Sequence, residues 1–308
     1  MMQKNGEAVV DLGFANGHPV ITADIGNGRY KMGAWVSNRR KTIDGIHACV
    51  EIDEARYARL TAEHGGSKNH WEYIKWKGRC FVVGAPALSE GNVKPVEVQN
   101  KYRKDYYGIM FIALALKLYN GNVPENINAW LGYPPAGASF KKEHLSSVLG
   151  TWEVESLGRK KTIRVHHASR WDEIVGGVKN VTMTDQGEDV RPEIDHQNPI
   201  AAMIAVDGPT IVIDVGYGTT DVVRLDKMGQ ADYSQIAGRR IGIGDAIDEF
   251  VRVFNFRHKQ YVADASDGIS LERVYECFAD PEHRVRIAGN TYIDCKDIYK
   301  AATQRLVN

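Results

Sequence analysis

Residues 21–35 read ITADIGNGRYKMGAW, and residues 211–225 read IVIDVGYGTTDVVRL. At an offset of 190 (211 minus 21), Ile21, Asp24, Gly26 and Gly28 fall on Ile211, Asp214, Gly216 and Gly218. Each segment is a short apolar run, then D-x-G-x-G, then a second apolar-rich run. The pattern predicts strand, tight turn, strand, with glycine where the turn needs a backbone that a Cβ would restrict. Self-similarity at so long a spacing predicts two halves built on one plan.

The rest of the chain fits α/β halves. In the first, Met32–Val36, Thr42–Val50 and Cys80–Val83 read as strands, and 51–78 as a polar, irregular insertion. A helix is expected over Tyr102–Tyr119, a buried strand at Ile127–Leu131 and a helix over Phe140–Leu149. Stretches near 151–156, 161–167 and 178–184 read as β-rich. A polar run from Asp185 to Asn198 reads as the crossing to the second half, with a short helix at 199–206. Beyond the second hairpin, Gly242-Ile-Gly244-Asp245 opens a helix through about Phe254. A helix at 270–279, a hairpin around Ala288-Gly-Asn290 and a helix from Cys295 follow.

Composition narrows the function classes. The chain has 308 residues, 43% hydrophobic and 25% charged, which is ordinary for a globular protein of about two domains. Lys+Arg and Asp+Glu both number 39. This balance gives no support for bulk electrostatic binding to nucleic acid or to an anionic membrane. The four cysteines, Cys49, Cys80, Cys277 and Cys295, show no C-x-x-C or zinc spacing and read as reduced thiols. The start, MMQKNGEAVVDLG, has no long apolar core, and IMFIALALKLY (109–119) is too short to span a bilayer. The expected location is therefore the cytoplasm. His166 and His167 are adjacent in a strand and point to opposite faces, which argues against shared metal chelation.

The hairpins carry the chemistry. A glycine-rich turn can aim several backbone N–H groups into one anion site. Lys31 lies just past the first turn and can reach a phosphate as a point charge. Asp24 and Asp214 each end a strand, where a carboxylate can hold hydrated Mg²⁺. Thr219 and Thr220 add hydroxyl donors at the second turn. Two such hairpins facing each other would enclose a nucleoside triphosphate with its metal.

These motifs resemble those of the actin, hexokinase and heat-shock chaperone superfamily. The spacing of Gly26 and Lys31 resembles that of the actins. The stretches WKGRCFVVGAPAL, WLGYPPAGASFKKEHL and IAGRRIGIGDAIDEF are similar to the prokaryotic plasmid-segregation actins (ParM type) and their archaeal relatives. The resemblance implies an actin-like fold. Two related ribonuclease-H-like α/β domains would flank a nucleotide cleft, one over 18–190 with an insertion at about 48–100. The other would span 191–308 with an insertion at about 245–308. It implies ATP or GTP with Mg²⁺, and Asp24 and Asp214 holding the metal through water. Gly26, Asn27, Gly28 and Lys31 match the first phosphate loop, and Gly216, Tyr217, Gly218, Thr219 and Thr220 the second.

The water-orienting residue of the family matches Gln186 best, with Asp185 and Glu188 as rivals, and Gly242 and Gly244 fall near the ribose. Hydrolysis with head-to-tail polymerisation follows from the resemblance, as does a DNA-binding adaptor as partner. Direct contact with nucleic acid or membrane is not expected. A cytoskeletal scaffold, a small-molecule kinase and a degenerate nucleotide-binding regulator are the alternatives. The family's late adenosine motif does not follow Leu306, so the natural chain is expected to continue beyond residue 308.

Overall fold

The computed structural model describes residues 17–26, 28–37, 39–64, 70–91, 104–133, 141–172, 210–226, 231–232, 234, 237–239, 241–261 and 268–306. The first half opens with β1 (Val20–Ile25), β2 (Arg29–Val36) and β3 (Arg39–Ile46), an antiparallel meander. Next come β4 (Cys49–Ile52), α1 (Glu54–His64), β5 (Tyr73–Trp76), β6 (Arg79–Val83) and α2 (Ala85–Gly91). The long α3 (Lys104–Leu118) leads to β7 (Asn126–Tyr133), α4 (Lys141–Val148), β8 (Gly150–Ser156) and β9 (Arg159–Asp172). One sheet holds all nine strands in the order β3-β2-β1-β7-β9-β8-β5-β6-β4. At its centre β1, β7 and β9 run parallel.

The apolar run 109–116 of α3 is buried on every side, as a helix apolar all round must be. It lies across β1, β2, β3 and β5 and makes the centre of the first core with Ile21, Ile25, Phe81 and Ile127. Gly108 lets α3 approach α4, since a Cβ there would meet the Ser147 carbonyl and the Trp152 ring.

Two expectations need correction. Thr42–Val50 is not one strand. The chain breaks at His47-Ala48, so that β3 and β4 occupy opposite edges of the sheet. Residues 51–78 are not irregular, because α1 and β5 lie within them. Asp53 starts α1 by accepting from the Arg56 amide at 2.7 Å, and the helix buries only Tyr57 and Leu60. So narrow a stripe, one turn apart, leaves the segment polar overall.

The second half repeats the opening. Strands β10 (Thr210–Val215), β11 (Thr220–Leu225) and β12 (Ala237–Arg239) form an antiparallel sheet of their own. A helical unit follows: α5 (Ile243–Arg257), α6 (Leu271–Ala279), the hairpin β13 (Arg284–Ala288) with β14 (Thr291–Asp294), and α7 (Lys296–Thr303). These elements coincide with the sequence expectation. Their apolar faces meet in a second core of Ile247, Phe250, Phe254, Val274, Val285 and Ile298. The expected strand at 178–184 and helix at 199–206 lie outside the described residues. All four cysteines are buried free thiols.

Candidate functional site

The sequence repeat is a structural repeat to the residue. In the first hairpin Asp24 pairs with Lys31 and Ile25 with Tyr30; in the second, Asp214 pairs with Asp221 and Val215 with Thr220. Adding 190 to each partner of the first hairpin gives the second, so both turns share one register. Gly26 and Gly216 are equivalent in the fold as well. A Cβ on Gly26 would lie 3.1 Å from the Arg29 carbonyl oxygen, and one on Gly216 would lie 3.2 Å from that of Thr219.

The first turn is fixed by a residue the sequence reading did not select. His47, fully buried between β3 and β4, donates its backbone N–H to the Gly28 carbonyl at 3.0 Å. Its Nδ1 stands 2.5 Å from the Gly26 carbonyl oxygen. A carbonyl only accepts, so Nδ1 carries the hydrogen. The signal available in the sequence was a lone histidine inside the apolar run Ile46-His47-Ala48-Cys49.

The second turn is fixed by the start of α5. Two amides of its first turn, which have no partner within a helix, go to this loop. Ile243 N–H donates to Gly216 O at 2.9 Å and Gly244 N–H to Tyr217 O at 2.7 Å. Asp245 closes the end by accepting from the Gly242 amide at 2.9 Å. Gly242 and Gly244 thus touch the second loop directly, and a Cβ at Gly244 would lie 2.7 Å from Tyr217 Cε1. Thr219 donates its hydroxyl to Asp221 at 3.2 Å, and Thr220 donates to Ile241 O at 2.7 Å. Both threonine protons are engaged within the protein. To donate to a phosphate, either hydroxyl must first release its present acceptor.

The Asp214 carboxylate senses that of Asp24. Loss of solvation, then the Asp24 carboxylate, push the Asp214 pKa above the ordinary carboxylate value, and the Lys31 ammonium opposes the shift. Asp24 Oδ1 is buried and accepts no hydrogen bond among the described residues. A buried carboxylate oxygen without a partner, facing a second carboxylate and a lysine, fits a site for a hydrated cation and an anion together. Among the described residues no three His, Cys, Asp or Glu side chains gather for direct metal ligation. Asn27, Gln186, Asp185 and Glu188 lie outside the described residues. No described helix is long and apolar enough to cross a membrane.

The repeated hairpins and the parallel strands beside the first define a protein of the actin-like fold. Solved structures agree. The chain superposes on the actin-like protein Alp7A with a TM-score of 0.65 at 17% identity, over 93% of this chain and 76% of that one. Against Ta0583, an archaeal actin homolog, the TM-score is 0.62 at 17% identity, over 94% and 79% of the two chains. Against Bacillus thuringiensis ParM with ATP it is 0.57 at 17% identity, over 94% and 80%. No protein-family model and no curated protein matches the sequence. At such identity the likeness establishes the fold, and the site has to be argued from its own residues.

Proposed function

We propose that this chain is an actin-like nucleoside triphosphatase that binds Mg-ATP, or Mg-GTP, between its two hairpins and assembles head to tail into filaments. The observation that carries the reading is the pair of D-x-G-x-G turns in one register, with Asp24 close enough to Asp214 to raise its pKa. Backbone amides of the turns and the Lys31 ammonium would hold the phosphates. Asp24 and Asp214 would hold Mg²⁺ through its water shell. The bound metal would neutralise charge on the phosphate oxygens as the terminal phosphoryl group leaves. Gln186 would orient the water that attacks that group. Heterologous contacts between copies do not close, so they build a filament rather than a ring.

Plasmid or DNA segregation, with a DNA-binding adaptor at the filament ends, is the role we favour. The chain's likeness to a ParM structure and its balanced charge support it. The test is phosphate release followed together with light scattering. Wild-type protein should release phosphate and scatter more light when ATP and Mg²⁺ are added. Asp214→Ala should lose turnover, and Lys31→Ala should bind nucleotide more weakly. Parent-like hydrolysis by both variants would remove the shared cleft from the argument.

A further inference from the structure

Tyr217 occupies the middle of the second turn, between Gly216 and Gly218. Its backbone belongs to the second half, where the Gly244 amide holds its carbonyl oxygen. Its ring packs on the helical core beside Tyr275 of α6. The same ring reaches across to the first hairpin and lies where a Cβ of Gly28 would be. Glycines from two separate segments, Gly28 at the first turn and Gly244 at the entry to α5, therefore make room for one side chain. Burial and the neighbouring Tyr217 raise the pKa of the Tyr275 phenol, and Arg29 pulls it the other way. Arg29 follows Gly28 and is itself held by Asp44 at 2.7 Å. α6 also touches α2 of the first half.

From this arrangement we infer that Tyr217 is a closure latch: a positioning residue whose ring ties the second phosphate turn to the first and sets how long a nucleotide stays between them. The inference rests on the nucleotide reading of the site. Separating the hairpins must break the contact between the Tyr217 ring and Gly28. A half-buried aromatic ring is a large part of so small a junction, and changes at an existing interface act mainly on departure rather than on arrival. Asp24, Asp214 and Lys31 supply the attraction for the Mg-nucleotide. Tyr217 makes its release wait for domain separation.

The experiment is stopped-flow release of a fluorescent ADP analogue with Mg²⁺, chased by unlabelled ADP. Tyr217→Ala should release the analogue about tenfold faster or more, with a much smaller change in association rate. Tyr217→Phe keeps the ring and should release within about threefold of the parent. Gly28→Ala attacks the same contact from the other side, because its methyl meets the ring, and should also speed release. Tyr217→Ala gives that methyl room, so the double variant should release no faster than Tyr217→Ala alone. Circular dichroism and melting curves check that each variant is folded, and Tyr217→Phe carries the comparison if Tyr217→Ala is not. In that case Phe and Gly28→Ala must differ in release, and equal rates overturn the latch. Unchanged release in Tyr217→Ala, or additive effects in the double variant, also overturn it while leaving nucleotide binding intact. A parent protein that binds no nucleotide overturns both this inference and the functional reading beneath it.

Discussion

Removing the imidazole of His47 should weaken nucleotide binding although the ring faces away from solvent and stands behind the turn. His47 holds two carbonyls of the first turn, Gly26 O through Nδ1 at 2.5 Å and Gly28 O through its own amide at 3.0 Å. Peptide planarity means that fixing a carbonyl fixes the plane of the whole peptide unit. His47→Ala keeps the backbone contact and loses the side-chain one. Leaving the Gly26 carbonyl without that partner costs about 1–3 kcal/mol. If the whole cost falls on the phosphate-competent form of the turn, the dissociation constant rises about 5- to 150-fold. His47→Asn places an amide nitrogen where Nδ1 stood and should bring affinity back to within about threefold of wild type. Both variants leave a void, so both should melt earlier, and melting alone does not separate them. Equilibrium titration with a fluorescent nucleotide does. Equal weakening in the two variants, or none in His47→Ala, would refute the reasoning.

Asp214→Asn should stabilise the nucleotide-free protein at neutral pH and abolish turnover. The folded pKa is raised above 3.8, so the folded state binds the proton more tightly, and stability falls as pH rises from that value through the raised one. Melting curves of both proteins across the acid-to-neutral range should show that fall in wild type and lose it in the variant. Phe250→Ala, at the fully buried centre of the helical core, should cost about 3–5 kcal/mol in denaturant unfolding of that unit. Gln186→Ala should lower kcat with little change in nucleotide affinity, because a water-orienting group acts mainly in the transition state. Single-turnover phosphate release measures it, and an unchanged rate would move the role to Asp185 or Glu188.

The parts of the fold that were legible in the sequence were those with a strong period. The D-x-G-x-G repeat gave both hairpins because strand, turn and strand are all local. The helices expected from Gly242 to about Phe254 and over 270–279 are those found at Ile243–Arg257 and Leu271–Ala279. Ser270 does accept from the Arg273 amide. Helix α1 was missed because Tyr57 and Leu60 alone are buried, too few for a visible period. The break at His47 was missed because Thr42–Val50 reads as continuous strand. What ends β3 there is a long-range contact with the first turn, and no window of sequence contains both. Tyr217 was legible as a loop residue, but its ring's place against Gly28 depends on how the two halves meet.

Identical register does not mean equal duty. The position that pairs with the strand-end aspartate is Lys31 in the first hairpin and Asp221 in the second. A cation there can attract phosphate. A buried carboxylate cannot, and Asp221 instead accepts from Thr219 and keeps the second turn in shape. Burial differs too. Ile21 and Ile25 are fully covered beneath α3, whereas their counterparts Ile211 and Val215 are 67% and 48% exposed. The first turn is therefore backed by a buried core and pinned by His47. The second is held by amides at the start of α5 and by the Tyr217 ring, and both of these tie it to the helical unit. A change in the position of that unit would thus be passed to the second turn through Gly216 O, Tyr217 O and the ring. The first turn stays fixed to its sheet. Under the proposed nucleotide-driven assembly, this asymmetry would make the second half the side that moves, and the phosphates the point against which it moves.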